Sequence, residues 1–140
     1  MTPIYAQNYD FSQYNVLAVD DIPLNVLLVQ KMLSRFNFKL RTASGGQEAL
    51  DAVAQEKPDL ILLDLMMPGI DGFEVIRRIR ENPATEDIQI VILSALNSNE
   101  DVVKGFNAGA NDFIMKPIIM EKLLSCVITQ LKLVEAKAAK

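Results

Sequence analysis

Leu60-Ile61-Leu62-Leu63-Asp64-Leu65-Met66-Met67-Pro68-Gly69-Ile70-Asp71-Gly72 is the stretch on which the reading of the chain turns. Its first four residues are aliphatic without a polar break. Such a run predicts a strand covered on both faces, the kind found at the centre of parallel sheets. The run stops on a carboxylate, and Pro68, Gly69 and Gly72 make the following segment a loop. An acid that ends a buried strand of an α/β sheet lies at the carboxyl edge, where such folds hold their ligands.

The same rhythm extends in both directions. Upstream, residues 15–19 form an apolar run that stops at Asp20-Asp21. A helix is predicted next, with Pro23 in its first turn and Leu24, Leu27, Leu28, Met32 and Phe36 on its inner side. Residues 38–42 alternate apolar and polar, as an edge strand with one wet face does. Ser44 and Gln47 have capping-box spacing for a helix carrying Leu50 and Val53, closed before Pro58. Downstream, a helix with Phe73, Ile76 and Ile79 inward precedes a strand over 88–93 that ends at Ser94. Ser98 and Asp101 repeat the capping spacing for a helix closing near Gly109. A strand over 112–115 ends at Lys116-Pro117, and a last helix runs from about Ile119 into the 130s. Five strands alternating with five helices predict an α/β fold with one parallel sheet and helices on both faces.

Composition bounds the function. The 140 residues suit one domain, and with half of them hydrophobic and 23% charged the chain has a globular balance. No apolar run approaches the length of a membrane span, and residues 1–10 lack the pattern of a signal peptide, so a cytoplasmic protein without membrane insertion is expected. The lone Cys126 allows no internal disulfide. A net charge of −4 argues against direct binding to nucleic acid, and the Arg77, Arg78, Arg80 cluster reads as a solvated helix face. Histidine is absent, which removes imidazole catalysis, Cys/His zinc sites and any phosphohistidine carried by this chain.

The polar strand ends are the informative feature. Asp20 and Asp21, Asp64, Ser94 and Lys116 each follow a buried run and, in a parallel sheet, emerge at one edge. Alone, each reads as a cap, a turn former or a solvated charge. Together they make an acidic pocket. Clustered carboxylates raise one another's pKa unless a cation is present, and an oxygen-only donor set suits Mg²⁺ or Mn²⁺ rather than zinc. A permanent Ca²⁺ site is the alternative, but no EF-hand spacing occurs. A carboxylate can accept a phosphoryl group, and transfer depends on positioning and on neutralising the equatorial oxygens. The metal, Lys116 and the Ser94 hydroxyl are candidates for those oxygens, with the donor supplied from outside.

Residues 14 to about 133 resemble a response-regulator receiver domain of two-component signalling. The resemblance rests on Val19-Asp20-Asp21 with Asn25, the stretch from Leu63 to Gly72, Val91-Ile92-Leu93-Ser94-Ala95, Gly109-Ala110-Asn111-Asp112-Phe113 and Lys116-Pro117. It implies a flavodoxin-like (βα)5 fold with strand order 2-1-3-4-5. It also implies that Asp64 is the phosphoacceptor. Asp21, Asp64 and the backbone carbonyl of Met66 would bind Mg²⁺ directly, and Asp20 would act through a water. Lys116 would contact the phosphoryl group beside a cis bond to Pro117, and Ser94 and Phe113 would form the switch pair. The implied partners are a histidine kinase or histidine phosphotransfer protein as donor and a downstream protein or output domain as reader, with a phosphorylation-dependent homodimer as a further possibility. Met66 and Leu96 are apolar where related domains can carry polar groups that position the hydrolytic water, so slow self-dephosphorylation is expected.

Two rival readings stand beside this one. A haloacid-dehalogenase-like phosphatase also uses an Asp after a buried strand, but it needs a second Asp two residues on, where this chain has Met66. A degenerate receiver acting only as a binding module would not need the complete acidic set. The chain divides into a short leader over 1–13, the domain over 14–133 and a helical tail over 134–140. The aromatic leader residues Tyr5, Tyr9 and Phe11 suit docking on the domain or on a partner. Leu124, Val127, Leu131, Val134 and Ala138 fit either a paired helix or an ordinary last helix.

Overall fold

The computed structural model describes residues 9–138, so Tyr5 lies outside the described residues. The elements run β1 (Asn15–Val19), α1 (Pro23–Leu33), β2 (Lys39–Ala43), α2 (Gly46–Gln55), β3 (Leu60–Leu63), α3 (Gly72–Glu81), β4 (Gln89–Ser94), α4 (Asn99–Ala108), β5 (Asp112–Met115) and α5 (Met120–Ala138). The sheet is parallel throughout, in the order β2-β1-β3-β4-β5. The registers Val19↔Leu63, Leu63↔Ile92 and Ser94↔Met115 bring the carboxyl ends of four strands to one edge.

Period-2 alternation sorts each strand between two cores. Val16, Ala18, Leu60, Leu62, Val91 and Leu93 pack with α1 and α5, while Leu17, Val19, Ile61, Leu63, Ile90 and Ile92 pack beneath α2 and α3. Both faces of β3 are therefore dry, as its unbroken aliphatic run requires. Phe11 is 1% exposed and touches Tyr14 and Phe36 at ring-centroid distances of 6.0 and 5.8 Å, and Tyr9 stacks on it at 5.3 Å. The described part of the leader thus packs into the core beside α1 and α5.

Two local expectations change, for α1 and α2, and α5 takes the second of its two readings, an ordinary last helix. Helix α1 buries Val29 and Leu33, with Met32 partly covered, and leaves Leu24, Leu27 and Leu28 exposed; it ends at Leu33, so Phe36 packs against the core from the loop beyond it and not from the helix. Apolar residues surround this helix, so its sequence fits more than one inward face, and the sheet selects the one around Val29. Helix α2 starts after Gly45 with no side-chain cap, because the Ser44 hydroxyl bonds the Glu48 carboxylate instead. In α5, Leu124, Val127 and Leu131 are buried in this domain's own core, which leaves them unavailable for pairing with another helix. The cap of α4 forms as its spacing predicts, Ser98 Oγ accepting from Asp101 N at 3.1 Å.

Candidate functional site

Strand geometry delivers the polar residues to one place. Asp64 N donates to Val19 O at 3.0 Å, and Asp20 N to Ala43 O at 3.2 Å, so both acids are held by the last ladder bonds of their strands. Lys116 N donates to Ser94 O at 2.8 Å, fixing the lysine beside β4, and the Lys116–Pro117 bond is cis. The loop after Asp64 folds back tightly. A Cβ on Gly72 would lie 2.7 Å from Asp64 O and from Leu65 Cα, so only glycine lets α3 begin against the acid's own backbone. Asp71 is excluded from the cluster because its carboxylate caps α3, accepting from Glu74 N at 2.9 Å.

Asp20, Asp21 and Asp64 each offer a carboxylate oxygen, and these oxygens all lie within 4.8 Å of one another. Among the described residues this is the one such group of potential metal ligands. Lys116 Nζ sits 3.0 Å from Asp20 Oδ2 and 3.8 Å from Asp64 Oδ1. Asp20 Oδ1 also accepts from Ile22 N at 3.0 Å, while Asp64 Oδ1 has only a long 3.5 Å approach from Met66 N. Burial pushes the Asp64 carboxyl above its ordinary value, Lys116 opposes this, and the charges of Asp20 and Asp21 add to the rise. Three carboxylates against one ammonium leave negative charge uncompensated in a half-dry cleft. That deficit, with oxygen donors alone, fits a hard divalent cation.

Ser94 is fully buried, and its Oγ accepts from Leu96 N at 3.1 Å, tying the hydroxyl to the loop after β4. Phe113 lies opposite Ile92 on β5, half-buried under α4 rather than in the acidic cluster. The Met66 side chain points away, 57% exposed, so that residue can serve the cluster only through its backbone. Behind Asp20 and Lys116 a cavity of about 220 Å³ opens between α1 and the Pro117 loop, lined by Asn25, Val26, Val29 and Ile118 among others. Sequence reasoning missed the close approaches of Gly72 and Gly105; a glycine within or opening a predicted helix is the signal that was available.

A parallel 2-1-3-4-5 sheet whose carboxyl edge gathers three acids, a buried hydroxyl and a lysine defines a receiver. The chain belongs to the response regulator receiver domain family, which its residues 16–128 match. It is a receiver domain of two-component signalling. It is 42% identical over 121 residues to the response regulator PleD of Caulobacter vibrioides, covering 85% of this chain and 27% of that protein. A probable cyclic di-GMP phosphodiesterase of Vibrio cholerae is 39% identical over 123 residues, covering 88% of this chain and 28% of that protein. The crystal structure of a putative response regulator from Chloroflexus aurantiacus superimposes with a TM-score of 0.81 at 32% identity, over 85% of this chain and 98% of that one. The chain thus spans just over a quarter of the length of these two relatives.

Proposed function

We propose that Asp64 accepts a phosphoryl group from a phosphohistidine on a partner protein, a histidine kinase or a histidine phosphotransfer protein. The observation that carries this is the cluster itself: a buried carboxylate with one long backbone contact, beside Lys116 and two further acids. An Asp64 carboxylate oxygen forms the new bond to phosphorus as the donor's P–N bond breaks, and the imidazole departs with the electron pair and takes up a proton. Lys116, already near Asp64 Oδ1, pairs with the transferred group's oxygens, and Ser94 can donate its hydroxyl hydrogen once its loop moves. Asp21, Asp64 and the Met66 carbonyl would hold Mg²⁺ directly and Asp20 through water, with Mn²⁺ as a substitute. The ion, when bound, neutralises the charge that the acids and the phosphoryl oxygens bring together.

A protein donor is favoured by what surrounds the cleft. Ile22, Leu24, Ile119 and Met120 flank Asp20-Asp21 and Lys116-Pro117 in sequence and are 40–72% exposed, an apolar rim suited to a protein surface. We assign residues 14–133 to the receiver, 1–13 to a leader and 134–140 to a tail. The protein acts as a signalling phosphoacceptor rather than as a turnover enzyme, and a downstream protein or output domain reads its state. A cytoplasmic location agrees with the absence, among the described residues, of any helix long and apolar enough to cross a membrane. Apolar Met66 and Leu96 support slow self-dephosphorylation. Incubation with a small acyl phosphate and Mg²⁺, followed by intact mass, tests the reading: one phosphoryl group should add to the native chain and none to Asp64→Asn. Repeated turnover of the donor without a labelled protein would favour a phosphatase instead.

A further inference from the structure

The space between α1 and the sheet is incompletely filled. The cavity of about 220 Å³ has Ala18, Leu62 and Leu93 as its floor, Val26 and Val29 as its roof and Ile118 at its side. The floor residues come from the neighbouring strands β1, β3 and β4 and are at most 5% exposed, so the cavity reaches into the core that α1 and α5 share. An apolar cavity of about 150 Å³ can stay dry and take up benzene. The larger volume here has room for a six-membered ring on a short arm.

The mouth of the cavity is polar and electrically one-sided. Asp20, Asn25 and Lys116 line it, whereas Asp21 and Asp64 do not. The Asp20–Lys116 ion pair is therefore the partition between this cavity and the acidic cluster. An anion entering here would find no uncommitted charge. Lys116 Nζ is held by Asp20 at 3.0 Å and lies 3.8 Å from Asp64, and Asn25 N and Val26 N both donate to Ile22 O. A cation is better served. Asp20 Oδ1 accepts from Ile22 N and Oδ2 from Lys116 Nζ, which leaves part of the roughly four acceptor positions of a carboxylate open. Among the described residues no hydrogen bond reaches the Asn25 side-chain amide, so its carbonyl is a second acceptor at the mouth.

We propose that this cavity binds a free small amphipathic amine, a ring of about six carbons on a one- or two-carbon arm. Its apolar body lies on the sheet under Val26 and Val29, and its ammonium donates to Asp20 and to the Asn25 carbonyl. Asp20 then serves both the amine and the cluster to which Mg²⁺ is assigned, and the two positive charges oppose each other. Amine and Mg²⁺ bind antagonistically, and by linkage each weakens the other by the same factor. The binding stands on the cavity alone, while its effect on labelling rests on the reading of Asp64 as phosphoacceptor.

The test uses the full chain labelled with ¹⁵N, and benzylamine as the probe. Benzylamine should shift the amides of Val26, Val29 and Ile118 and bind at least tenfold more tightly than toluene, which lacks the charge, or methylamine, which lacks the ring. Benzoate, with the charge reversed, should not bind. Saturating Mg²⁺ should weaken benzylamine about tenfold, and benzylamine should weaken Mg²⁺ equally. Asn25→Ala should weaken benzylamine about tenfold, as loss of a hydrogen bond to a charged group does. Val26→Phe, with Val29→Leu as the milder filling should the first fail to fold, should abolish the cavity shifts and leave acyl-phosphate labelling intact. Toluene, methylamine or benzoate binding as tightly as benzylamine overturns the proposal. So do shifts confined to Asp20, Asp21 and Asp64, an affinity unchanged by Mg²⁺ or Asn25→Ala, or shifts that persist in a filled, folded variant. Acyl-phosphate labelling separates the two readings. Failure to label Asp64 while benzylamine binds as expected overturns the phosphoacceptor reading and leaves the amine site standing, whereas normal labelling without cavity shifts overturns the amine site alone.

Discussion

Replacing Asp64 by asparagine keeps the side chain's shape and removes its charge, and in metal-free buffer this should stabilise the protein. Asp20 and Asp21 present oxygens no more than 4.8 Å from Asp64, while Lys116 Nζ is 3.8 Å away. With an effective dielectric of about 20, each carboxylate costs roughly 3.5 kcal/mol and the ammonium returns about 4.4 kcal/mol. The balance is unfavourable by about 2.5 kcal/mol, and desolvation of a side chain that is only 7% exposed acts in the same direction. Allowing for solvent around the half-buried Asp21, a gain of about 2 kcal/mol is expected, or roughly 6 °C in Tm for a domain of this size. The sign with pH follows from the raised Asp64 carboxyl. The folded state holds its proton at pH values where the unfolded chain has released it, so the native chain loses stability as pH rises from the ordinary value of 3.8 through the raised one. The advantage of Asp64→Asn should therefore be full at neutral pH and fade towards pH 3.8. Adding Mg²⁺ should reverse the order, because a ligand at about 100 times its Kd stabilises the native chain by roughly 2.7 kcal/mol and the variant has lost a ligand. Thermal melts with chelator and with Mg²⁺ provide the assay. A variant that melts at or below the native chain in chelator refutes the electrostatic reasoning.

Lys116→Met should slow acyl-phosphate labelling of Asp64 about a hundredfold, as loss of one preorganised charge at a transferring group does, read by the time course of intact mass. Gly72→Ala should cost about 3 kcal/mol or more in urea unfolding and also slow labelling, since the new methyl meets the backbone of Asp64 and Leu65, which cannot turn aside. Phe11→Ala should cost about 3–5 kcal/mol, visible as a lowered urea midpoint, although Phe11 lies outside the family match over 16–128. The phosphorylated chain should keep its label for far longer than a few seconds in buffered Mg²⁺, and gain of a faster loss in Met66→Asn would tie that persistence to the apolar position.

The sheet was legible because burial on both faces leaves no freedom in residue choice: Leu60 to Leu63 can only be aliphatic, and the acids follow at strand ends. Helix ends set by a side chain were legible too, as Ser98 shows. Helix α1 was not, because its exposed Leu24, Leu27 and Leu28 have the same character as its buried Val29 and Leu33, and hydrophobicity alone cannot tell a core face from a contact face. Ser44 and Gln47 carried the right spacing but lost to a competing side-chain bond to Glu48. Asp71 carries the same charge as Asp64, and only its place at the start of α3 sends it to a cap instead of the cluster. Arg80 donates to the backbone carbonyls of Glu86, Ile88 and Gly109 and to the Asn111 amide oxygen, so it bridges two loops, and backbone acceptors leave no trace in a sequence.

The span of chain between Asp20 and Lys116 has a consequence for synthesis. Their bond joins residues 96 positions apart, and β1 lies between β2 and β3, so the edge is assembled from strands that emerge at very different times. A nascent chain that has released Asp64 but not β5 presents a carboxylate without its ammonium, on a sheet whose outer strand is missing. Non-local pairings of this kind form late in folding. On the reading of Asp64 as the phosphoacceptor, labelling at its full rate should therefore arrive only with the last strand, which carries the ammonium to the edge.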